Sequence, residues 1–174
     1  MNTLVNHGSS PSAPSADLTA LATAAFEAAR RGDAELLATA VARGLPANLS
    51  NEKGDTLLML AAYHGHAPLV ARLLALGADG GRRNDRGLSP LDGAAFKGDA
   101  LVLSTLLAAG IPVDQAGPDG RTALMWAASF DRRVAIDLLL TAGADRTKTD
   151  AQGKRAADHA RAFGLEELAA KLEG

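Results

Sequence analysis

Two series of glycines run through this chain at one fixed interval. Gly44, Gly77, Gly110 and Gly143 are each 33 residues apart, and Gly54, Gly87, Gly120 and Gly153 keep the same spacing ten residues further on. A period of that length means one supersecondary unit repeated and stacked, a solenoid in which each unit touches only its neighbours. A single closed enzyme pocket is not what such a pattern builds.

The unit can be read from residues 51–83. Gly54 lies in a turn, and a helix begins at Thr56 with Leu57, Leu58, Leu60 and Ala61 on its apolar face. Gly65 breaks that helix. Pro68 opens a second one, where a missing N–H is tolerated. Leu69, Val70, Leu73 and Leu74 form its buried stripe, and Gly77 ends it. The plan recurs over 84–116, 117–149 and 150–174. A more degenerate unit precedes them over about 18–50, with Phe26, Leu36, Leu37 and Val41 at apolar positions. The first and last units depart most, as end caps must, since each has one face without a neighbour.

The segments Asp55-Thr-Leu-Leu-Met-Leu-Ala-Ala-Tyr-His-Gly-His66 and Val70-Ala-Arg-Leu-Leu-Ala-Leu-Gly-Ala-Asp79 resemble an ankyrin repeat. So do Gly87-Leu-Ser-Pro-Leu-Asp-Gly-Ala-Ala95 with Leu106-Leu-Ala-Ala-Gly110, and Gly120-Arg-Thr-Ala-Leu-Met-Trp-Ala-Ala128 with Leu138-Leu-Leu-Thr-Ala-Gly-Ala-Asp145. The resemblance covers about 18–174 and extends to small stand-alone ankyrin proteins of bacteria. It implies an all-α ankyrin-repeat solenoid of about five helix-turn-helix units, three full and two divergent caps, with β-hairpin-like loops on one side. The repeat domain is expected over 17–174.

Departures from the family pattern are informative. Its usual histidine is replaced by Met59, Asp92, Met125 and Asp158. Ser89-Pro-Leu-Asp92 reads as a capping box in which Asp92 bonds back to the helix start. That carboxylate is equally suited to hold a partner's Arg or Lys. Asp131 stands where a glycine is expected between helices, a place that aspartate tolerates better than most residues. Gly93 occupies the position of Leu60 and Trp126. Its missing side chain is expected to make room for Trp126.

Composition narrows the function. With a net charge of -2 and pI near 6.1, the chain has no basic field for a nucleic-acid backbone. Arg82, Arg83 and Arg86 form one small cluster, diluted by Asp79 and Asp85, and read as a solvated loop. The absence of cysteine excludes disulfides, thiolate metal sites and cysteine nucleophiles. No phosphate loop, nucleophile elbow or zinc-helix motif is present. His64 and His66 flank Gly65 without further ligands, so no metal and no cofactor is expected. Nor is there a membrane span or secretory signal. Residues 1–16, rich in Ser, Pro and Ala, read as an unstructured leader, with an export tail as the alternative.

The six aromatics carry the functional expectation: Phe26, Tyr63, Phe96, Trp126, Phe130 and Phe163. Tyr63, Phe96, Phe130 and Phe163 fall at the ends of first helices. In the ankyrin resemblance those ends face the concave groove, with the loop tips along one edge. The expected partner-binding set is Tyr63, His64, Phe96, Lys97 and Phe130, with Asp55, Arg86, Arg121 and Asp92. Phe163 is expected to close the C-terminal cap and Trp126 to belong to the core. The implied protein is a cytoplasmic, non-enzymatic monomer that binds another protein. A ligand- or metal-binding protein and an exported effector are the alternatives.

Overall fold

The computed structural model describes residues 15–174, and side-chain environments from residue 19 onward. Of the expected leader, residues 1–14 lie outside the described part, while residues 15 and 16 already belong to the first helix. Among the described residues ten helices follow one another as five pairs: α1 (Ser15–Arg31) with α2 (Ala34–Ala42), α3 (Leu57–Tyr63) with α4 (Ala67–Ala75), α5 (Pro90–Lys97) with α6 (Ala100–Ala108), α7 (Ala123–Ser129) with α8 (Arg133–Thr141), and α9 (Ala156–Ala162) with α10 (Glu166–Glu173). The odd-numbered helices form one layer, each packed on the next, and α2, α4, α6 and α8 stack likewise in a second.

Helices of seven to nine residues are too short to persist alone, so packing must hold them. The inner layer meets through paired alanines: Ala61 and Ala62, Ala94 and Ala95, Ala127 and Ala128 are all fully buried. Small side chains let these helices approach closely. In the outer layer Leu73, Leu106 and Leu139 repeat at the same interval and are also fully buried.

Local chemistry fixes the helix ends. Thr56 caps α3 by accepting from the Met59 N–H at 3.1 Å. The Ser89–Asp92 box is closed in both directions: the Asp92 N–H reaches Ser89 Oγ at 3.2 Å, and the Ser89 N–H reaches Asp92 Oδ2 at 2.9 Å. Helix α4 starts one residue before Pro68, which sits in its first turn. Asp131 adopts the left-handed backbone expected of it, with φ of 51° and its carboxylate 2.9 Å from Arg133.

The inter-unit loops close as tight hairpins, through Asn51 N–H to Asp55 O, Asn84 N–H to Leu88 O, Gly117 N–H to Arg121 O and Asp150 N–H to Lys154 O. Strand pairing among the described residues is confined to an isolated bridge between Ser50 and Thr56. Neighbouring units are tied by the Asp85 N–H to Lys53 O at 3.1 Å and by the Ala151 N–H to Asp119 O at 2.9 Å. His66 Nε2 donates to the Arg30 carbonyl at 2.7 Å, and 66 residues later Arg132 Nε makes the equivalent bond to Phe96 O at 2.9 Å. His66 therefore serves the helix–helix turn. No described helix is long and apolar enough to cross a membrane.

Candidate functional site

Successive repeats bring their aromatics into one row. The Tyr63 and Phe96 rings are stacked at 6.5 Å, Phe96 and Phe130 meet edge-to-face at 4.5 Å, and Phe130 lies 6.0 Å from Phe163. These spacings suit favourable ring–ring contact. The row stays open to solvent: Tyr63 is 44% exposed, Phe130 38% and Phe163 61%. Phe163 thus extends the row rather than closing the C-terminal cap, because α9 ends before it and leaves its ring outside the core. The row is not a single repeat column. Tyr63 and Phe96 are one period apart, whereas Phe130 and Phe163 share the column of His64 and Lys97. Buried Ser129 stands at the Tyr63 position in the third full repeat.

Polar groups edge this row. Lys97 Nζ lies 4.9 Å from the centroid of the Tyr63 ring, and the His64 ring meets Tyr63 edge-on at 5.6 Å. Partial desolvation, with His66, Arg30 and Lys97 nearby, lowers the His64 pKa and favours its neutral form. Arg86 is exposed at its loop tip. Asp55 is half-buried and accepts from Asn84 Nδ2 at 2.7 Å. Asp92 and Arg121, grouped with these from the sequence, are engaged by their own chain. Asp92 is 1% exposed, and Arg121 is turned inward over Trp126, its guanidinium carbon 4.3 Å from the ring centroid.

A cleft of about 570 Å³ opens beside the row, lined by Leu60, Tyr63, Gly93, Phe96 and Trp126, with Asp92 also in its wall. The packing expected at Gly93 does not occur: a Cβ built there would meet nothing within 4 Å. Trp126 leans on Arg121 instead of filling the gap; it is half-buried and packs against the core, as Leu60 does, without being enclosed in it. The absent side chain therefore creates the cleft. Asp92 Oδ2 accepts from the Ser89 hydroxyl at 2.8 Å and from Arg83 at 2.8 Å, while no protein donor reaches the buried Oδ1. Burial raises the Asp92 pKa, although the Ser89 bonds and Arg83 oppose it.

A second polar cluster was hidden from sequence reasoning because it draws on two repeats. His159 Nδ1 accepts from Arg121 at 2.8 Å, and Nε2 donates to Asp150 Oδ2 at 2.9 Å. Since guanidinium only donates, this geometry fixes a neutral imidazole with its proton on Nε2. Arg121 also reaches Ser129 Oγ at 3.3 Å. Asp150 occupies the loop position of Asn51 and Asn84, and that column is the one sequence signal of its role. Burial and Arg121 lower the His159 pKa, against the opposing pull of Asp150. The unfolded chain thus takes up the proton first as pH falls below about 6.5, and stability declines from there downward. Urea unfolding at pH 7.5 and 5.5 should show a larger acid loss for wild type than for His159→Asn. Equal losses would mean that this imidazole does not titrate differently on folding.

Among the described residues no group of three or more His, Cys, Asp or Glu is arranged to hold a metal ion. Comparison with known proteins adds two findings. Residues 41–94 match the family model described as ankyrin repeats in many copies, and residues 119–151 match that of the ankyrin repeat, together half of the chain. Over 38 residues the chain is 53% identical to a Pseudomonas aeruginosa protein named for its ankyrin repeats. That match spans 22% of this chain and 22% of the relative.

Proposed function

This chain belongs to the ankyrin-repeat family, whose repeats are in general protein–protein interaction modules and typically non-enzymatic scaffolds, and on that premise we propose that it binds a partner protein through its aromatic groove. The observation that carries this reading is the open row from Tyr63 to Phe163. Large rings left in solvent at successive repeats are poorly used by the fold. They suit an interface, because they bury much area with few rotors to freeze. His64, Lys97, Asp55 and Arg86 supply the mixed-charge rim that such an interface has. Binding is non-covalent, and the stacked helices present the groove ready-made, which limits the ordering cost. In this reading the protein acts as a cytoplasmic monomer, and its -2 net charge gives no general attraction to nucleic acid.

The test is affinity capture from lysate of the source cell, comparing wild type with Tyr63→Ala/Phe96→Ala. The variant must first match wild type in circular dichroism and melting. A protein retained by wild type and lost by the variant is the expected result. Equal retention by both would move the interface away from the groove.

A further inference from the structure

We infer that the cleft at Gly93 receives an arginine side chain of the partner protein, so that the groove reads one basic residue as well as an apolar surface. This rests on the groove being the interface. Three independent features point to a guanidinium. The cleft exists because the inner helix lacks a side chain where its neighbours carry Leu60 and Trp126, and the space at Gly93 is open. Its walls include the aromatic side chains of Tyr63, Phe96 and Trp126, a kind of surface on which a flat cation packs well. Its polar side is mainly acidic: Asp55, Asp92 and Asp119 line it with Arg86 and His64, while Arg83 already pairs with Asp92 from behind.

Asp92 is the decisive residue. Only 1% exposed, it already holds Arg83 on Oδ2, while Oδ1 has no donor. A buried carboxylate oxygen left without a donor is costly; Oδ1 is itself enclosed, so an arginine reaches it only as the Asp92 side chain turns toward the cleft, and its N–H then relieves that cost. The chain itself displays both halves of the recognition. Arg83 bonds this carboxylate at 2.8 Å, and Arg121 lies over the face of Trp126 at 4.3 Å. A second guanidinium between ring and carboxylate would combine the two contacts. Lysine would match the charge but neither the plane nor the fork of donors.

The probe is the blocked tripeptide acetyl-Gly-Arg-Gly-amide, titrated into the full chain beside its citrulline and lysine counterparts. Trp126, the one tryptophan in the sequence, reports by fluorescence, and the Gly93 amide reports by NMR. The arginine peptide should saturate both signals in the millimolar range expected of so small a ligand. Citrulline, neutral but of the same shape, should bind on the order of tenfold more weakly or not at all. Gly93→Leu, which restores the side chain carried at Leu60, should abolish the shifts while unfolding as wild type does. Should Gly93→Leu fail to fold, Asp119→Asn serves instead. It keeps an oxygen for the Arg121 N–H, now 3.1 Å from Asp119 Oδ1, and removes a charge. Equal binding of arginine and citrulline, shifts that survive Gly93→Leu, or no saturation overturns the inference. The groove reading fails separately. Capture that is lost in Tyr63→Ala/Phe96→Ala but kept in Gly93→Leu would retain the groove and reject the arginine. Saturable arginine binding with unchanged capture by the aromatic variant would do the reverse.

Discussion

Leu106→Ala should lower the free energy of unfolding by about 2–5 kcal/mol, the range for truncating a large apolar side chain that is fully enclosed. Leu106 is 0% exposed on α6, which packs on α5 within its own unit and on α4 and α8 of the neighbouring units. The void would therefore open in the buried face of a helix that serves three interfaces. In a solenoid, stability is the sum of unit terms and nearest-neighbour terms, and the neighbour terms are the ones that let helices of nine residues form at all. A central position should cost more than the same change near an end. Urea unfolding measures this directly. A midpoint unchanged from wild type would show that the outer leucine column does not hold the stack together.

Gly120→Ala should destabilise by about 2 kcal/mol or more, for two additive reasons. Gly120 has φ of +77°, a region that costs an L-residue roughly 1–2 kcal/mol. The new methyl would also stand 2.8 Å from Ala151 N and 2.9 Å from Asp150 Cα. Both are backbone atoms of the next loop, so no side chain can swing aside. The adjacent bond from the Ala151 N–H to Asp119 O would be strained with them. Gly143→Ala separates the two costs: its φ is +90°, yet its added carbon meets nothing within 4 Å. Thermal unfolding of both variants should show the larger loss at Gly120. Equal losses would leave only the backbone conformation and dismiss the collision between loops.

What was legible in the sequence follows a simple physical division. Local signals gave the helices, because caps and breaks act within a few residues. Thr56, the Ser89–Asp92 box and Asp131 do in the structure what their chemistry implies. The period supplied the stacking, since equal units placed at equal spacing must meet in the same way. The site was only partly legible. That Tyr63 and Phe96 share a column was visible, and they do stack. That Phe163 would stand exposed was not, because the sequence does not say on which side of a final helix a ring will fall. Gly93 shows the same limit. A missing side chain is plain in the sequence, but whether a neighbour fills the space depends on where Trp126 leans, and its ring lies against Arg121 of the adjacent loop. The His159 cluster joins Arg121 and Ser129 of one repeat to Asp150 and His159 of the next, with no motif to announce it.

The sideways step in the aromatic row has a consequence for any molecule laid along it. A stack of identical units has translational symmetry, and a long ligand on such a track can slip by one period and find the same contacts again. Here the rings move from the Tyr63 column to the Lys97 column halfway along. The track is thereby given a phase mark. A partner displaced by one period would set its apolar groups against Lys97 or Ser129 instead of a ring. For a partner bound along the row, the step would work as an index notch, giving a periodic scaffold a single alignment and a direction.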